Sequence, residues 1–220
     1  MGWSDLISGA EEKHLKTLES YFLSFWGDTD LPSHDLDHHR RVWNNVKEIL
    51  LYYPVSRDSG NFACKLLIAS YFHDIGMARD KGIRHGSQSR KVAEEYLVVH
   101  RLDCADYLDV LDAIEYHDNK EYDNSTRDNT VLEILSVADD IDAFGNTGIR
   151  RYLEIYRARG IGEEKIGYAI LENAASRFAN FELFAAGKPG LLAKHKEHYE
   201  ILKRYFQDHC SGFRESSNGQ

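Results

Sequence analysis

Histidine and aspartate side chains occur together at three places in the 220-residue sequence, each within a pattern that predicts a helix. His34 and His38 are four residues apart and therefore share one helix face. His73 and Asp74 follow the apolar segment LIASYF, and Asp139 follows the apolar stripe of LEILSVA. His38 and His73 with Asp74 and Asp139 are two imidazoles and two carboxylates, a set that suits a divalent Fe, Mn, Co, Ni or Zn ion that keeps open positions for water and substrate.

Each of these residues taken singly has an ordinary structural interpretation. A lone inward histidine is more often hydrogen-bonded in the core, and a lone inward aspartate is more often a helix cap or part of an ion pair. The same periodicity predicts that His39 lies on the surface, that Asp140 lies off the inward stripe, and that His195 and His198 lie on a solvated helix face. Spacing alone therefore leaves the metal site as one of two interpretations.

Apolar residues recur at spacings of three and four along the chain, and only three prolines interrupt it, which predicts an all-α fold. The first helix is expected to end at Gly27, and the third to be closed by Gly76 in a left-handed turn. Ser33 or Asp35 is expected to cap the second helix. Further helices are predicted over residues 86–99, 103–117, 129–143, 146–158, 163–185 and 190–208.

Composition limits the classes of function. No apolar run approaches the roughly 20 residues that cross a bilayer, and the first residues do not resemble a secretory signal, so we expect a cytoplasmic protein without a membrane partner. Three widely separated cysteines predict reduced thiols. The formal net charge of −9 argues against a nucleic-acid polymer as the partner.

The ordered set His38, His73-Asp74 and Asp139 resembles the HD superfamily of metal-dependent phosphohydrolases. The H-x-x-R-V pattern from His38 to Val42 and the segment ADDIDAFG add to the resemblance, which covers about residues 33–152. His34-Asp35 and the segment GIRR at 148–151 are similar to a branch of small uncharacterised bacterial HD hydrolases. The resemblance implies a single-domain, multi-helix HD-domain bundle, made of an N-terminal helix (1–32), an HD metal-binding core (33–152), C-terminal helices of the same domain (153–209) and a disordered tail (210–220).

The resemblance implies that His38, His73, Asp74 and Asp139 ligate one transition-metal ion, with Mg as a further candidate. The reaction would be metal-assisted hydrolysis, in which the ion lowers the pKa of a bound water toward ~7 and polarises a phosphoryl oxygen. Asp74 would orient that water or help to deprotonate it.

His85 and His117 fall where two-metal HD proteins place their additional histidines. They would either hold a second ion or stay unligated and meet the substrate phosphate as catalytic residues. From the sequence we expect one ion, and therefore the second of these roles.

An anionic substrate requires cations beyond the metal, because two carboxylates cancel the charge of one divalent ion. Lys81 and Arg84 lie in the loop before His85, and Arg151 follows the Asp139 helix, so these three are the predicted substrate-binding residues. The expected substrate is a small phosphorylated metabolite, with nucleotides as the leading class. Aromatic positions of the C-terminal helices are expected in the core or on the surface of a homodimer.

Two rival functions remain open on the sequence. The order of His38, His73-Asp74, His85, His117 and Asp139 also resembles the ligand set of HD-fold di-iron oxygenases. The other rival is a non-catalytic helical module, stabilised by a metal, that binds a nucleotide or a partner without turnover.

Overall fold

The computed structural model describes residues 2–82, 84–119 and 129–218, with side chains as far as residue 212. These ranges contain helices and no strand, so the predicted all-α class is confirmed. None of the described helices is long and apolar enough to cross a lipid bilayer. The nine α-helices of the described ranges are α1 (Trp3–Trp26), α2 (Leu36–Leu50), α3 (Ser59–Phe72), α4 (His85–Val99), α5 (Leu108–Tyr116), α6 (Thr130–Asp142), α7 (Gly145–Ala158), α8 (Glu163–Phe184) and α9 (Pro189–Asn218).

The chain divides into two compact units, Met1–Ala138 and Asp139–Gln220. The division lies within α6, inside the 33–152 span that the sequence indicated as one core. The single-domain organisation and its boundaries at residues 32 and 152 stay predictions.

Helix α3 is the centre of the first unit. It is apolar on nearly all sides, and a helix of that kind must be surrounded by other elements. Helices α1, α2, α4 and α5 pack against it. Fully buried side chains fill the interior of this unit, among them Leu18, Phe22, Ile49, Leu66, Leu67, Phe72 and Tyr96.

Two of the predicted helix boundaries are confirmed in detail. Gly27 ends α1 with φ +52°, a backbone conformation that side-chain-bearing residues rarely adopt. Asp35 caps α2, because its Oδ1 accepts a hydrogen bond of 3.0 Å from the backbone N–H of His38.

The left-handed turn predicted at Gly76 is wrong. Gly76 does not have a positive φ and lies in a 3-10 turn over Ile75–Ala78. A Cβ at this position would collide with the backbone carbonyl of His85 and would lie 2.5 Å from the amide nitrogen of Ser89. Glycine is required here because the turn packs directly against the start of α4.

The second unit is built from α7, α8 and α9, with α9 packed against both others. Aromatic side chains form its interior, and the rings of Phe178 and Tyr199 stack with their centroids 4.1 Å apart. Helix α9 continues to Asn218, whereas the sequence predicted that the last helix ends at 208 and that a disordered tail begins at 210; that prediction is wrong as far as residue 218.

Candidate metal centre

Six buried polar side chains of the first unit meet at one point, and we call them the histidine–aspartate cluster. Two come from the segment that enters α2, two from the end of α3, one from the start of α4 and one from the end of α5. All are at most 8% exposed. The members are His34, His38, His73, Asp74, His85 and His117.

Asp74 lies at the middle of the cluster, and each of its two oxygens faces a different set of imidazoles. The Nε2 atoms of His85 and His117 lie 3.4 and 3.1 Å from Oδ1. Three further Nε2 atoms lie near Oδ2, at 3.4 Å for His73 and 3.6 Å for both His38 and His34. The carboxylate therefore joins two groups of ring nitrogens.

Three of these rings are oriented by the same local hydrogen bond. The Nδ1 atoms of His73, His85 and His117 lie 2.8 to 3.0 Å from the backbone carbonyl three residues earlier in the chain. A carbonyl oxygen only accepts hydrogen bonds, so in each neutral ring the proton is on Nδ1 and Nε2 carries a lone pair.

The orienting carbonyls are a consequence of helix geometry. His73 and His117 are the residues directly after α3 and α5, and the last four carbonyls of a helix have no partner within that helix. Each of these two imidazoles satisfies such a carbonyl with its own Nδ1–H. A histidine that ends a helix in this way has a fixed ring, and its Nε2 points away from that helix.

Short distances between ligand atoms leave positions for a proton or a metal ion within the cluster. The Nε2 atoms of His38 and His73 are 3.1 Å apart, and Nε2 of His117 is 3.1 Å from a carboxylate oxygen. The lone pair of His117 and the carboxylate repel each other unless a proton or a metal ion lies between them, whereas His38 can donate to His73 when its own proton is on Nε2. Two ligands about 2.1 Å from one ion, at angles of about 90 to 109°, are about 3.0 to 3.4 Å apart, so the spacing fits a transition metal.

The cluster contains two triads that could each hold an ion: His38, His73 and Asp74, and Asp74, His85 and His117. Asp74 belongs to both. Burial alone would raise the pKa of Asp74, but the nearby His73 and His117 outweigh this effect and lower the pKa well below its ordinary value. Asp74 is therefore ionised and available as a ligand at neutral pH.

Helix α4 approaches α5 closely enough to pair His85 with His117. A Cβ at Gly86 would collide with the backbone carbonyl of Glu115, so the helices pack backbone to backbone at this point. As a result, the centroids of the imidazole rings of His85 and His117 lie 5.4 Å apart.

Asp139, the fourth ligand implied by the resemblance, lies in the second unit within an arginine–aspartate cluster. Its Oδ2 accepts a hydrogen bond of 3.0 Å from Nη1 of Arg177, and the same nitrogen lies 2.9 Å from Oδ1 of Asp140. Arg151, predicted to bind substrate, forms a 2.8 Å ion pair with Asp142. The members of this cluster are Asp139, Asp140, Asp142, Arg151 and Arg177.

The sequence interpretation missed Arg177 and placed Asp140 off the inward stripe, whereas Asp140 is fully buried. Asn180 of α8 donates a hydrogen bond of 2.9 Å to Oδ2 of Asp140, and Nε of Arg177 lies 3.3 Å from Oδ1 of Asn173. These three α8 residues are spaced at i, i+4 and i+7 among apolar neighbours. That polar stripe is a signal from which the site could have been found.

Two histidines that the sequence placed on the surface are buried. His39 is fully buried, because α2 packs against both α1 and α3. Its Nδ1 donates to the carbonyl of Ser70, and its ring lies 4.6 Å from that of Phe22. His195 is 2% exposed and packs against Phe181 of α8.

The two predicted cations of the loop before α4 do not enter the histidine–aspartate cluster. The Arg84 side chain is 76% exposed and forms a 2.9 Å ion pair with Asp80. Lys81 is exposed as well, with Nζ 3.4 Å from the carbonyl of Asp30. The ligand, catalytic and substrate-binding roles given to individual residues from the sequence stay predictions.

A crystal structure of a predicted HD superfamily hydrolase from an uncultured Thermotogales bacterium is similar to this chain. The two are 23% identical, the match covers 82% of this chain and 92% of that chain, and the TM-score is 0.48. No curated protein matches the chain.

Residues 35–143 match the HD domain family. The matched range contains Asp139 and all of the histidine–aspartate cluster except His34. HD domains bind divalent metals, and the two triads could hold such ions, so the match supports a metal-dependent hydrolase of the HD type as the broad class. The chain belongs to the HD superfamily.

Proposed function

We propose that the protein is a metal-dependent phosphohydrolase that cleaves a phosphate ester of a small metabolite, with nucleotides as the leading substrate class. The observation that carries the proposal is the convergence of five imidazole Nε2 atoms on the buried carboxylate of Asp74. Imidazole and carboxylate ligands without thiolates favour Fe, Mn, Co, Ni or Zn, and Mg remains a further candidate.

When bound, such an ion would supply a water of lowered pKa and would polarise a phosphoryl oxygen. The protein residues supply the positions. The i−3 carbonyls fix the rings of His73, His85 and His117, and Asp74 spans both groups of nitrogens with its two oxygens. Asp139 is a ligand only by the family resemblance; it lies in the second unit, where its Oδ2 accepts a hydrogen bond from Arg177, and its role as a ligand stays a prediction.

The shared carboxylate supports two ions rather than the one expected from the sequence. His85 and His117 form with Asp74 a second triad, whose ligand atoms lie within 4.8 Å of one another as those of the first do. Both rings are held with Nε2 toward Oδ1, which is the orientation of a ligand. We therefore assign these two histidines to a second ion in preference to direct contact with the substrate phosphate.

The same shared carboxylate favours one alternative function, an HD-fold di-iron oxygenase. A carboxylate between two groups of imidazoles suits two irons as well as it suits two ions of a hydrolase. Bound iron and oxygen uptake that depends on substrate would identify this alternative.

The proposal is tested by elemental analysis of protein purified without chelator, followed by a screen of nucleotides and other phosphate esters with Mn, Co, Ni, Fe and Mg. His73→Ala is the site variant, and His14→Ala is the matched control because His14 is buried in α1 and is not a member of the cluster. We expect one to two equivalents of transition metal and hydrolysis in the wild type and control, with the metal content reduced and hydrolysis lost in His73→Ala. Metal binding without hydrolysis of any ester would contradict the proposed function and favour the oxygenase or the binding module. Absence of metal binding would contradict it as well and would favour the binding module alone.

A further inference from the structure

His34 is the one imidazole of the histidine–aspartate cluster to which the sequence interpretation gave no role. Its Nε2 lies 3.6 Å from Oδ2 of Asp74, yet the compact triads that could hold an ion do not include it. It lies in the 3-10 turn over Pro32–His34 that precedes α2, whereas His38 lies within the helix.

The partner of Nδ1 distinguishes His34 from the three rings fixed by carbonyls. Nδ1 of His34 lies 2.8 Å from the hydroxyl oxygen of the buried Ser33. A hydroxyl can donate as well as accept, so the neutral ring can carry its proton on Nε2 instead. His34 can therefore present an N–H toward the centre of the cluster, which the neutral rings of His73, His85 and His117 cannot do.

His34 is also one of the two rings of the cluster that are slightly exposed. It and His85 are 8% and 7% exposed, whereas His38 and His73 are fully buried. A substrate that reaches the cluster from solvent would meet these two rings first. Arg84 pairs with Asp80 and Lys81 is exposed, so a donor within the cluster would add to what the ion supplies in binding a phosphoryl oxygen.

We propose that His34 is a substrate-binding residue, which donates its Nε2–H to a phosphoryl oxygen of the substrate while Ser33 orients the ring. This inference rests on the proposed function. It assigns His34 to the phosphate rather than to the metal.

The experiment compares metal content, binding of inorganic phosphate to the metal-loaded protein and kcat/KM on the best ester of the screen. The variants are His34→Ala, His34→Gln and His34→Asn, with His14→Gln as a matched control of equal exposure. The amide nitrogen of Gln reaches about as far from the backbone as Nε2, whereas that of Asn reaches only about as far as Nδ1.

We expect unchanged metal content in all variants. His34→Ala and His34→Asn should weaken phosphate binding about tenfold, as expected for loss of one hydrogen bond to a charged group. They should also lower kcat/KM by about 100-fold, as does loss of one donor to a developing oxyanion. His34→Gln should retain most of the phosphate affinity, and Ser33→Ala should show a smaller loss in the same direction.

Two results would overturn the inference while leaving the proposed function intact: loss of metal in His34→Ala, which would make His34 a ligand, and unchanged phosphate binding in that variant. If the wild type binds metal but hydrolyses no ester, the proposed function fails and the phosphate titration still decides the role of His34. If the wild type binds no metal, both fail together.

Discussion

Asp74 in the first unit and the Asp139–Asp140 pair in the second are almost equally buried, but different cations surround them. Asp74 is enclosed by imidazoles, whose positive charge depends on protonation. Asp139 and Asp140 share the guanidinium of Arg177, which is charged at every accessible pH. Asp139 and Asp140 therefore have a permanent cation beside them, whereas Asp74 has one only when protons or metal ions occupy the histidine–aspartate cluster.

The largest effect is expected from removal of the charge of Asp74. We expect Asp74→Asn to lose bound metal and to lower hydrolysis by about 1,000-fold or more, because the carboxylate joins both triads. Elemental analysis and steady-state kinetics measure the two effects. Asp37→Asn is the control, since Asp37 is an exposed carboxylate that pairs with Arg40. Full metal content in Asp74→Asn would refute the assignment.

A second test separates the two triads. We expect His117→Ala to lose the ion of its own triad and to keep about one equivalent at His38, His73 and Asp74. Metal stoichiometry by elemental analysis, compared with that of His73→Ala, measures this difference. Identical metal content in His117→Ala and the wild type would show that His117 is not a ligand and would restore the substrate-contacting role expected from the sequence.

A third test addresses the arginine–aspartate cluster through stability. Arg177→Ala leaves two buried carboxylates without their shared guanidinium, and we expect the free energy of unfolding to fall by about 3 kcal/mol. Urea unfolding of the metal-free protein measures it. Arg157→Ala removes an exposed ion pair with Glu163 in the same unit and should lower the free energy of unfolding much less, because solvent screens exposed pairs. Equal losses in the two variants would contradict the contrast between buried and exposed pairs.

The smallest expected effect concerns His39, which packs beside the histidine–aspartate cluster. Burial, followed by the nearby His73 and His38, lowers the pKa of His39 well below its ordinary value. Below pH ~6.5 the unfolded chain therefore takes up a proton at this residue that the folded chain does not, and stability falls as the pH falls.

We expect His39→Phe to make this decline shallower between pH 7 and pH 5, by up to about 1 kcal/mol per pH unit. Urea unfolding of the metal-free protein at several pH values, beside His14→Phe as the control, measures the slope. His14 is a weaker case of the same kind, because burial also lowers its pKa. An unchanged slope in His39→Phe would show that this residue does not contribute to acid sensitivity.

Much of the fold could be predicted because local rules govern it. The apolar spacing predicted the helices, and Gly27 and Asp35 marked boundaries through the φ angle and the side-chain hydrogen bond that these positions require. Gly76 was misinterpreted because a glycine can serve either a left-handed turn or a close approach, and the sequence does not distinguish the two.

The burial of polar residues was the weakest part of the sequence interpretation. His39, Asp140 and His195 were all expected away from the core, and all are buried. A single helical stripe describes a helix with one inward face, whereas α2 contacts both α1 and α3. A residue such as His39, which lies off the main apolar stripe of α2, is then predicted to be on the surface although it faces a second neighbouring helix.

The sequence by itself determined the helices, the order of His38, His73-Asp74 and Asp139, and the carbonyl three residues before each of His73, His85 and His117. These features depend on residues close together in the chain. Only the tertiary structure decided that five Nε2 atoms face the two oxygens of Asp74, that His34 is among them and that Arg177 supports Asp139 and Asp140. Most of these contacts join residues tens of positions apart. Their distances are set by the packing of helices against one another, which local periodicity does not determine.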